Sequence, residues 1–381
     1  MQIPRYLKTL LERWLGKGKI LILYGARQVG KTTLVRSILE EQGCPEGYFN
    51  CEVIQVRQAL EQQDPVALRD FLGDQKIVVL DEAQRVRNIG LTLKLLADTY
   101  PEMQIIATGS SSFELAQEIT EPLTGRSLSF TLYPLSLAEL AEVHGRAGVD
   151  AQLERYLRFG LYPEIALAPE PDARVLLDAL ASNYLYKDIL EFEHLKRSDL
   201  LLKLLQLLAL QIGSEVSTHE LAVTLQTTRP TILRYLDLLE KAFVIVQLMP
   251  LSRNQRTAIA KKRKIYFMDP GIRNSLIGRY QPLAVRDDRG ALWENLLIIE
   301  RLKHRAYSGM YGNTFFWRTY AQQEVDFVEE YDGVMHGYEI KWTGRASYTA
   351  PSDYLKAYPS ATVRLIDRAS YWDFVDPKQA G

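Results

Sequence analysis

Lys19-Ile20-Leu21-Ile22-Leu23-Tyr24-Gly25-Ala26-Arg27-Gln28-Val29-Gly30-Lys31-Thr32-Thr33 opens on a compact apolar run and then breaks into a glycine-bounded loop. A run apolar at every position is the pattern of a strand buried on both faces of a parallel sheet. From Lys31 to Gln42 the pattern is helical. The loop between them fits G-x-x-x-x-G-K-[ST] at each fixed position, in the strand–loop–helix setting that this pattern requires. Gly25 and Gly30 let the chain wrap so that backbone N–H groups from Gly25 through Ala26, Arg27, Gln28, Val29 and on to Thr33 face a phosphate chain. The helix that follows adds its positive amino-terminal end. Lys31 is expected to reach the β- and γ-phosphates of ATP, and the Thr32 hydroxyl to bind Mg²⁺.

Working outward, Lys76 to Leu80 and Met103 to Ala107 are two more candidate buried strands, with a helix over Leu91 to Thr99 between them. This βαβ rhythm predicts a mostly parallel sheet covered by helices, an α/β fold. Ile77-Val78-Val79-Leu80-Asp81-Glu82 delivers Asp81 to the Mg²⁺ shell and sets Glu82 beside it to orient and deprotonate the attacking water. Ile105-Ile106-Ala107-Thr108-Gly109-Ser110-Ser111 ends a strand in hydroxyls. Thr108 there is either a sensor of the γ-phosphate or part of a Ser/Thr-capped loop start. Leu123-Thr124-Gly125-Arg126 offers an arginine with three readings: phosphoryl-transfer stabiliser in cis, the same in trans toward a neighbouring copy, or structural residue.

These motifs, followed by Tyr133-Pro134-Leu135-Ser136, resemble a family of prokaryotic AAA-type ATPases fused to a carboxy-terminal domain of unknown function with a restriction-endonuclease-like look. Gly160-Leu161-Tyr162-Pro163-Glu164, Tyr266-Phe267-Met268-Asp269-Pro270-Gly271, Trp293-Glu294-Asn295, Glu324-Val325-Asp326-Phe327 and Glu339-Ile340-Lys341 extend the resemblance over nearly the whole chain. It implies a P-loop NTPase core of the AAA type over 1–134, a helical connector over 135–195, a winged helix-turn-helix over 196–280 and a restriction-endonuclease-like α/β domain over 281–381.

The connector is read from helical patterns at Leu135 to His144, Asp150 to Phe159 and Ala173 to Phe192, separated by Pro and Gly. In the third part, Ser217 and Glu220 form a capping-box pattern. Ile232, Tyr235, Leu236 and Leu239 give the apolar stripe of a second helix, and Val244 to Leu248 and Lys264 to Met268 suit two wing strands. From Lys196 to Ser275 there are 13 Lys and Arg against 6 Asp and Glu, a net of +7. Six of the basic residues fall between Arg253 and Lys264. Such a run suits contact with a nucleic-acid backbone rather than base reading, Asp237 and Glu240 standing on the helix that would read bases. The other reading is a winged helix used for packing or subunit contacts.

In the last part, residues two apart on a strand share a face. Glu339 and Lys341 therefore point together, and Asp326 joins them if its strand pairs with theirs. Asp326 and Glu339 are expected to hold a second Mg²⁺ with Glu294 completing the shell, and Lys341 to activate a water for phosphodiester attack. Alternatively the constellation is a cross-strand ion pair on an inert scaffold. Three functions follow: an ATP-dependent nuclease, an ATP-switched binding or signalling protein with an inert terminal domain, and a ring-forming remodelling ATPase.

Composition bounds these readings. With 381 residues, 47% of them hydrophobic, the chain has room for two to three globular domains at roughly 150 residues each. A net charge of −1 gives no global field for nucleic acid or membrane, so any such affinity is local. Cys44 and Cys51 lack metal-ligand spacing and are expected to be reduced packing residues. The first residues lack a secretion-signal pattern, and Leu200 to Ile212 is too short and polar to cross a bilayer. The expectation is a cytoplasmic, non-membrane protein that binds ATP or ADP and Mg²⁺ and is able to form homo-oligomers.

Overall fold

A computed structural model describes residues 3–110, 123–183, 198–252, 263–319, 321–331, 333–344 and 348–376. Ser111, the end of the expected helix to Phe192, and Arg253, Arg256, Lys261 and Lys262 of the basic run lie outside the described residues. The chain forms two compact units: Met1–Leu135 with Lys241–Phe243, and Ser136–Glu240 with Val244–Gly381.

Among the described residues the first unit has five strands: β1 Ile20–Tyr24, β2 Tyr48–Asn50, β3 Ile77–Asp81, β4 Gln104–Gly109 and β5 Ser127–Thr131. They pair in the order β2-β3-β4-β1-β5, all parallel. The apolar runs dictate this arrangement, because every residue of β1, β3 and β4 is buried. Ile20, Ile22, Val78, Leu80, Ile105 and Ala107 share one core cluster with Leu68, Leu93 and Leu96 of the covering helices. Leu21, Leu23, Val79 and Ile106 alternate to the other face and are equally buried. The helix Lys31–Glu41 starts directly after the glycine loop and packs against β3.

The second unit begins with helices Leu137–Phe159, broken at Gly145 (φ 68°), Pro163–Leu167, Glu170–Asn183 and Ser198–Leu210. Its described strands are β6 Glu215–Val216, β7 Ile245–Pro250, β8 Arg263–Phe267, β9 Thr314–Arg318, β10 Glu324–Tyr331, β11 Val334–Ile340 and β12 Thr362–Ile366. They form one sheet in the order β12-β11-β10-β9-β7-β8-β6. The join is β7, whose first half pairs antiparallel with β8 and whose Met249 and Pro250 pair parallel with β9. Apart from Leu135 and Lys241–Phe243, the three parts expected within 135–381 thus lie in one compact unit, and a continuous sheet crosses the expected boundary at 280.

Helices Thr218–Thr224 and Arg229–Lys241 follow β6. Ser217 caps the first, its hydroxyl accepting from Glu220 N–H at 3.3 Å, and Ile232, Tyr235, Leu236 and Leu239 of the second are buried. Two of the quoted motifs lock together nearby. Asp269 accepts from the N–H groups of Leu161 (2.6 Å) and Gly271 (2.8 Å), and its carboxyl is pushed up to about 6 by burial. A side chain at Gly160 would meet that carboxylate at 1.9 Å, and one at Gly271 would meet the Phe159 carbonyl at 2.1 Å, so both positions require glycine.

Candidate functional site

Gly25 closes the end of β1 with a Cβ position only 2.3 Å from the Leu132 carbonyl oxygen, leaving no room for a side chain. Gln28 (φ 61°) and Gly30 (φ 98°) take left-handed conformations that turn the loop into the helix. Ala26 and Val29 bury their side chains, Arg27 is half-buried, and Gln28 and Thr33 are exposed. Lys31 is 5% exposed, and its ammonium donates to the loop's own carbonyls, Gly25 O at 2.8 Å and Ala26 O at 3.0 Å. Arg5 braces the loop from outside, donating to Val29 O at 2.7 Å and Tyr133 O at 2.5 Å. Sequence reasoning missed Arg5, which acts on residues 24 and 128 positions away.

Asp81 leaves the end of β3 beside this loop. It accepts from the Thr32 hydroxyl at 2.8 Å, the Tyr48 hydroxyl at 2.6 Å and the Thr108 hydroxyl at 2.5 Å. Tyr48, also missed, is pushed up to about 12 by burial and then by the Asp81 carboxylate, while the Arg36 guanidinium stacks 4.0 Å from its ring centre. Cys51 is fully buried, and burial with the nearby Asp81 and Glu82 charges pushes its thiol up to about 12, so it is a packing residue and no nucleophile. Glu82 has φ 54°, a left-handed conformation that costs a non-glycine residue roughly 1–3 kcal/mol. Its carboxylate accepts from the Gln84 amide at 2.6 Å; the amide oxygen of Gln84 is buried without a hydrogen-bond partner.

The site's chemistry fits a triphosphate with Mg²⁺. The Thr32 and Asp81 oxygens are hard ligands already adjacent, and Gln84, whose amide oxygen is buried without a partner, bonds the neighbouring Glu82.

Thr108 is fully buried, donates to Asp81 and accepts from Glu82 N–H at 3.1 Å, which ties it to the acidic pair. Arg126 precedes Ser127, which pairs with Ile20 at the start of β1. The glycine loop lies at the other end of that five-residue strand, about 16 Å away at 3.3 Å per residue. Arg126 forms a bidentate pair with Asp98 (2.8 and 3.3 Å), an arrangement that suits the structural reading or the reading in trans better than the one in cis.

The terminal acids do converge. Phe327 pairs with Tyr338, which sets Asp326 opposite Glu339 on β10 and β11. The pairing of β10 with β9 shifts register between Val325 and Val328, the stretch that holds Asp326, and the Asp326 carboxylate accepts from Ile340 N–H at 2.9 Å. Lys341, just past β11, lies 2.7 Å from Glu339 and 3.6 Å from Asp326. Glu294 faces them from the helix Arg289–Ser308, accepting from the Tyr266 hydroxyl at 2.6 Å.

At the centre, however, stands Lys264 of β8, 1% exposed. Its ammonium is 2.6 Å from Glu324, 3.1 Å from Glu294 and 3.5 Å from Asp326. Burial opposes its charge, but the surrounding carboxylates hold its pKa well above the usual lysine value. Burial, then the Asp326 charge, raises Glu339, and burial raises Glu294 to about 7. Among the described residues no set of three His, Cys, Asp or Glu side chains is disposed to hold a metal ion. The expected Mg²⁺ ligands Glu294, Asp326 and Glu339 therefore do not fit that role here, because an ammonium takes the place of the metal.

Lys264 was expected on a surface basic patch. Arg263 is buried too, donating to Gln247 at 2.7 Å, so neither residue is available to a phosphate backbone.

Residues 17–141 match a family described as an AAA domain; 150–282 and 289–369 match two domains of unknown function, DUF8612 and DUF4143. The uncharacterized proteins Mb2031c of Mycobacterium bovis and Rv2008c of Mycobacterium tuberculosis are each 31% identical over 343 residues, covering 88% of this chain and 73% of theirs. Among solved structures, the Aeropyrum pernix Orc1 protein in complex with DNA is similar at 15% identity over 73% of this chain and 93% of that one, with a TM-score of 0.34, too slight a likeness to bear on function. No described helix is long and apolar enough to cross a membrane.

Proposed function

We propose that this chain, which belongs to the family of the mycobacterial proteins Mb2031c and Rv2008c, binds and hydrolyses ATP in its first unit and uses that cycle to switch a nucleic-acid-contacting module in its second. The observation that carries the ATP reading is the Thr32–Asp81 hydrogen bond, 2.8 Å, which joins the glycine loop to the acidic end of β3. In this reading Lys31 leaves the carbonyls of Gly25 and Ala26 for the phosphates, and the loop N–H groups take the remaining charge. Thr32 and Asp81 are the side chains to hold Mg²⁺, which when bound neutralises phosphate charge. Glu82 orients and deprotonates the water, Gln84 aims Glu82, and Thr108 with Tyr48 fixes Asp81.

The second unit's part rests on its helix-turn-helix elements and on Arg229 and Arg234, exposed on the helix Arg229–Lys241. Backbone contact, independent of base sequence, suits that surface. No cleavage step is assigned to the terminal acids, because Lys264 stands among them.

Calorimetry of the full chain with ATP and Mg²⁺ tests the first half. One site per chain is expected, lost in Lys31→Ala and kept in Glu82→Gln, whose turnover falls about 100-fold. No heat from the wild type removes the reading. Titration of a DNA duplex in the ATP and ADP states tests the switch, and equal affinities remove it.

A further inference from the structure

We infer that Lys264 is a resident cation: its ammonium is the permanent counter-ion around which the acidic cluster is arranged, in the place where a divalent metal was expected. Glu294, Glu324 and Asp326 come from a helix and from β10, and all three carboxylates lie within 3.5 Å of one buried nitrogen. A lysine ammonium has three N–H donors and no acceptor; Lys264 donates one to Glu294 and keeps Glu324 and Asp326 within ion-pair distance. Glu339, opposite Asp326, meets Lys341 at 2.7 Å through one oxygen, while its other oxygen is buried without a hydrogen-bond partner.

The ammonium is not free to withdraw. All five residues of β8 are buried, and the strand is paired on one side to β7 and on the other to β6. Asn295 clasps the Phe267 backbone in both directions, accepting from its N–H at 2.7 Å and donating to its carbonyl at 2.9 Å. The neighbouring Trp293 donates to the Lys341 carbonyl at 3.1 Å. Trp293-Glu294-Asn295 thus ties β8 and the end of β11 to one helix, with Glu294 taking the lysine. A divalent ion would need the oxygens that Lys264 already engages, and would meet a like charge beside it.

The consequence is an unmasked site. With Lys264 made neutral, Glu294, Asp326 and Glu339 become a set of hard oxygen ligands for Mg²⁺ or Mn²⁺. The test is Mn²⁺ binding by the nucleotide-free full chain, followed by electron paramagnetic resonance, a readout separate from the ATP reading. Wild type is expected to show no bound Mn²⁺ that Asp326→Asn removes. Lys264→Met with Glu324→Gln, which loses one charge of each sign, is expected to gain one Mn²⁺ per chain that Asp326→Asn abolishes. Lys264→Arg, which keeps the charge, gains none. An Asp326-dependent Mn²⁺ in the wild type overturns the inference, as does a folded double variant that gains no Mn²⁺. Should the double variant not fold, the wild-type comparison with Asp326→Asn decides alone.

Discussion

The glycine loop and the terminal acid cluster are both built from a nearly buried lysine, strand-end carboxylates and hydroxyls, yet they are poised for opposite ends. Lys31 rests on two carbonyl oxygens of its own loop, neutral partners that a polyphosphate easily outcompetes. Lys264 rests among three carboxylates that leave no stronger partner to be found. Asp81 is held by neutral hydroxyls, which can rearrange around a cation, whereas Glu294, Glu324 and Asp326 already have theirs. What separates a ligand site from a structural ion cluster is thus the charge of the lysine's partners, not the presence of lysine and acids in proximity.

The contrast is sharpest in stability. Removing one partner of a buried ion cluster leaves the others uncompensated, so Lys264→Met is expected to lose about 3–5 kcal/mol in urea unfolding of the second unit. Lys31→Ala breaks hydrogen bonds to the Gly25 and Ala26 carbonyls and is expected to lose about 1–2 kcal/mol from the first unit. Equal losses would mean that Lys31 is as much a structural ion as Lys264, and the difference between the two sites would disappear. Because the chain has two units, each transition needs its own probe; tryptophan fluorescence follows the second, where Trp293 and Trp317 are buried.

The glycine loop was legible in sequence because its residues are contiguous and their spacing is set by backbone geometry. The strands around it were legible because a strand buried on both faces is apolar throughout. Asp81 and Glu82 followed from their place at a strand end. For Thr108 and Arg126 the sequence leaves more than one reading because their surroundings depend on register: Arg126 is one residue before a strand that runs parallel to β1, which puts it at the end away from the glycine loop. Tyr48 and Arg5 were invisible because nothing local marks a side chain that will cross to another strand or loop. Asp326, Glu339 and Lys341 were correctly drawn together by strand alternation. Lys264 was hidden among six basic residues that look alike in one dimension, and only the pairing of β7 with β9 brings its strand into the terminal sheet.

A smaller effect probes the charge balance of the acid cluster alone. Glu294 is raised by burial to about 7 in the folded chain, against an ordinary value of 4.5. Between those values the folded state holds more proton on this group than the unfolded state does, so its contribution is fully present below pH 4.5 and is lost as pH rises through 7. The stability of wild type minus that of Glu294→Gln should therefore fall across the window from pH 4.5 to 7, with a slope no steeper than about 1.4 kcal/mol per pH unit. A flat difference curve would mean that Lys264 neutralises Glu294 completely and that the excess negative charge of the cluster sits on Glu339 beside the half-exposed Lys341 instead.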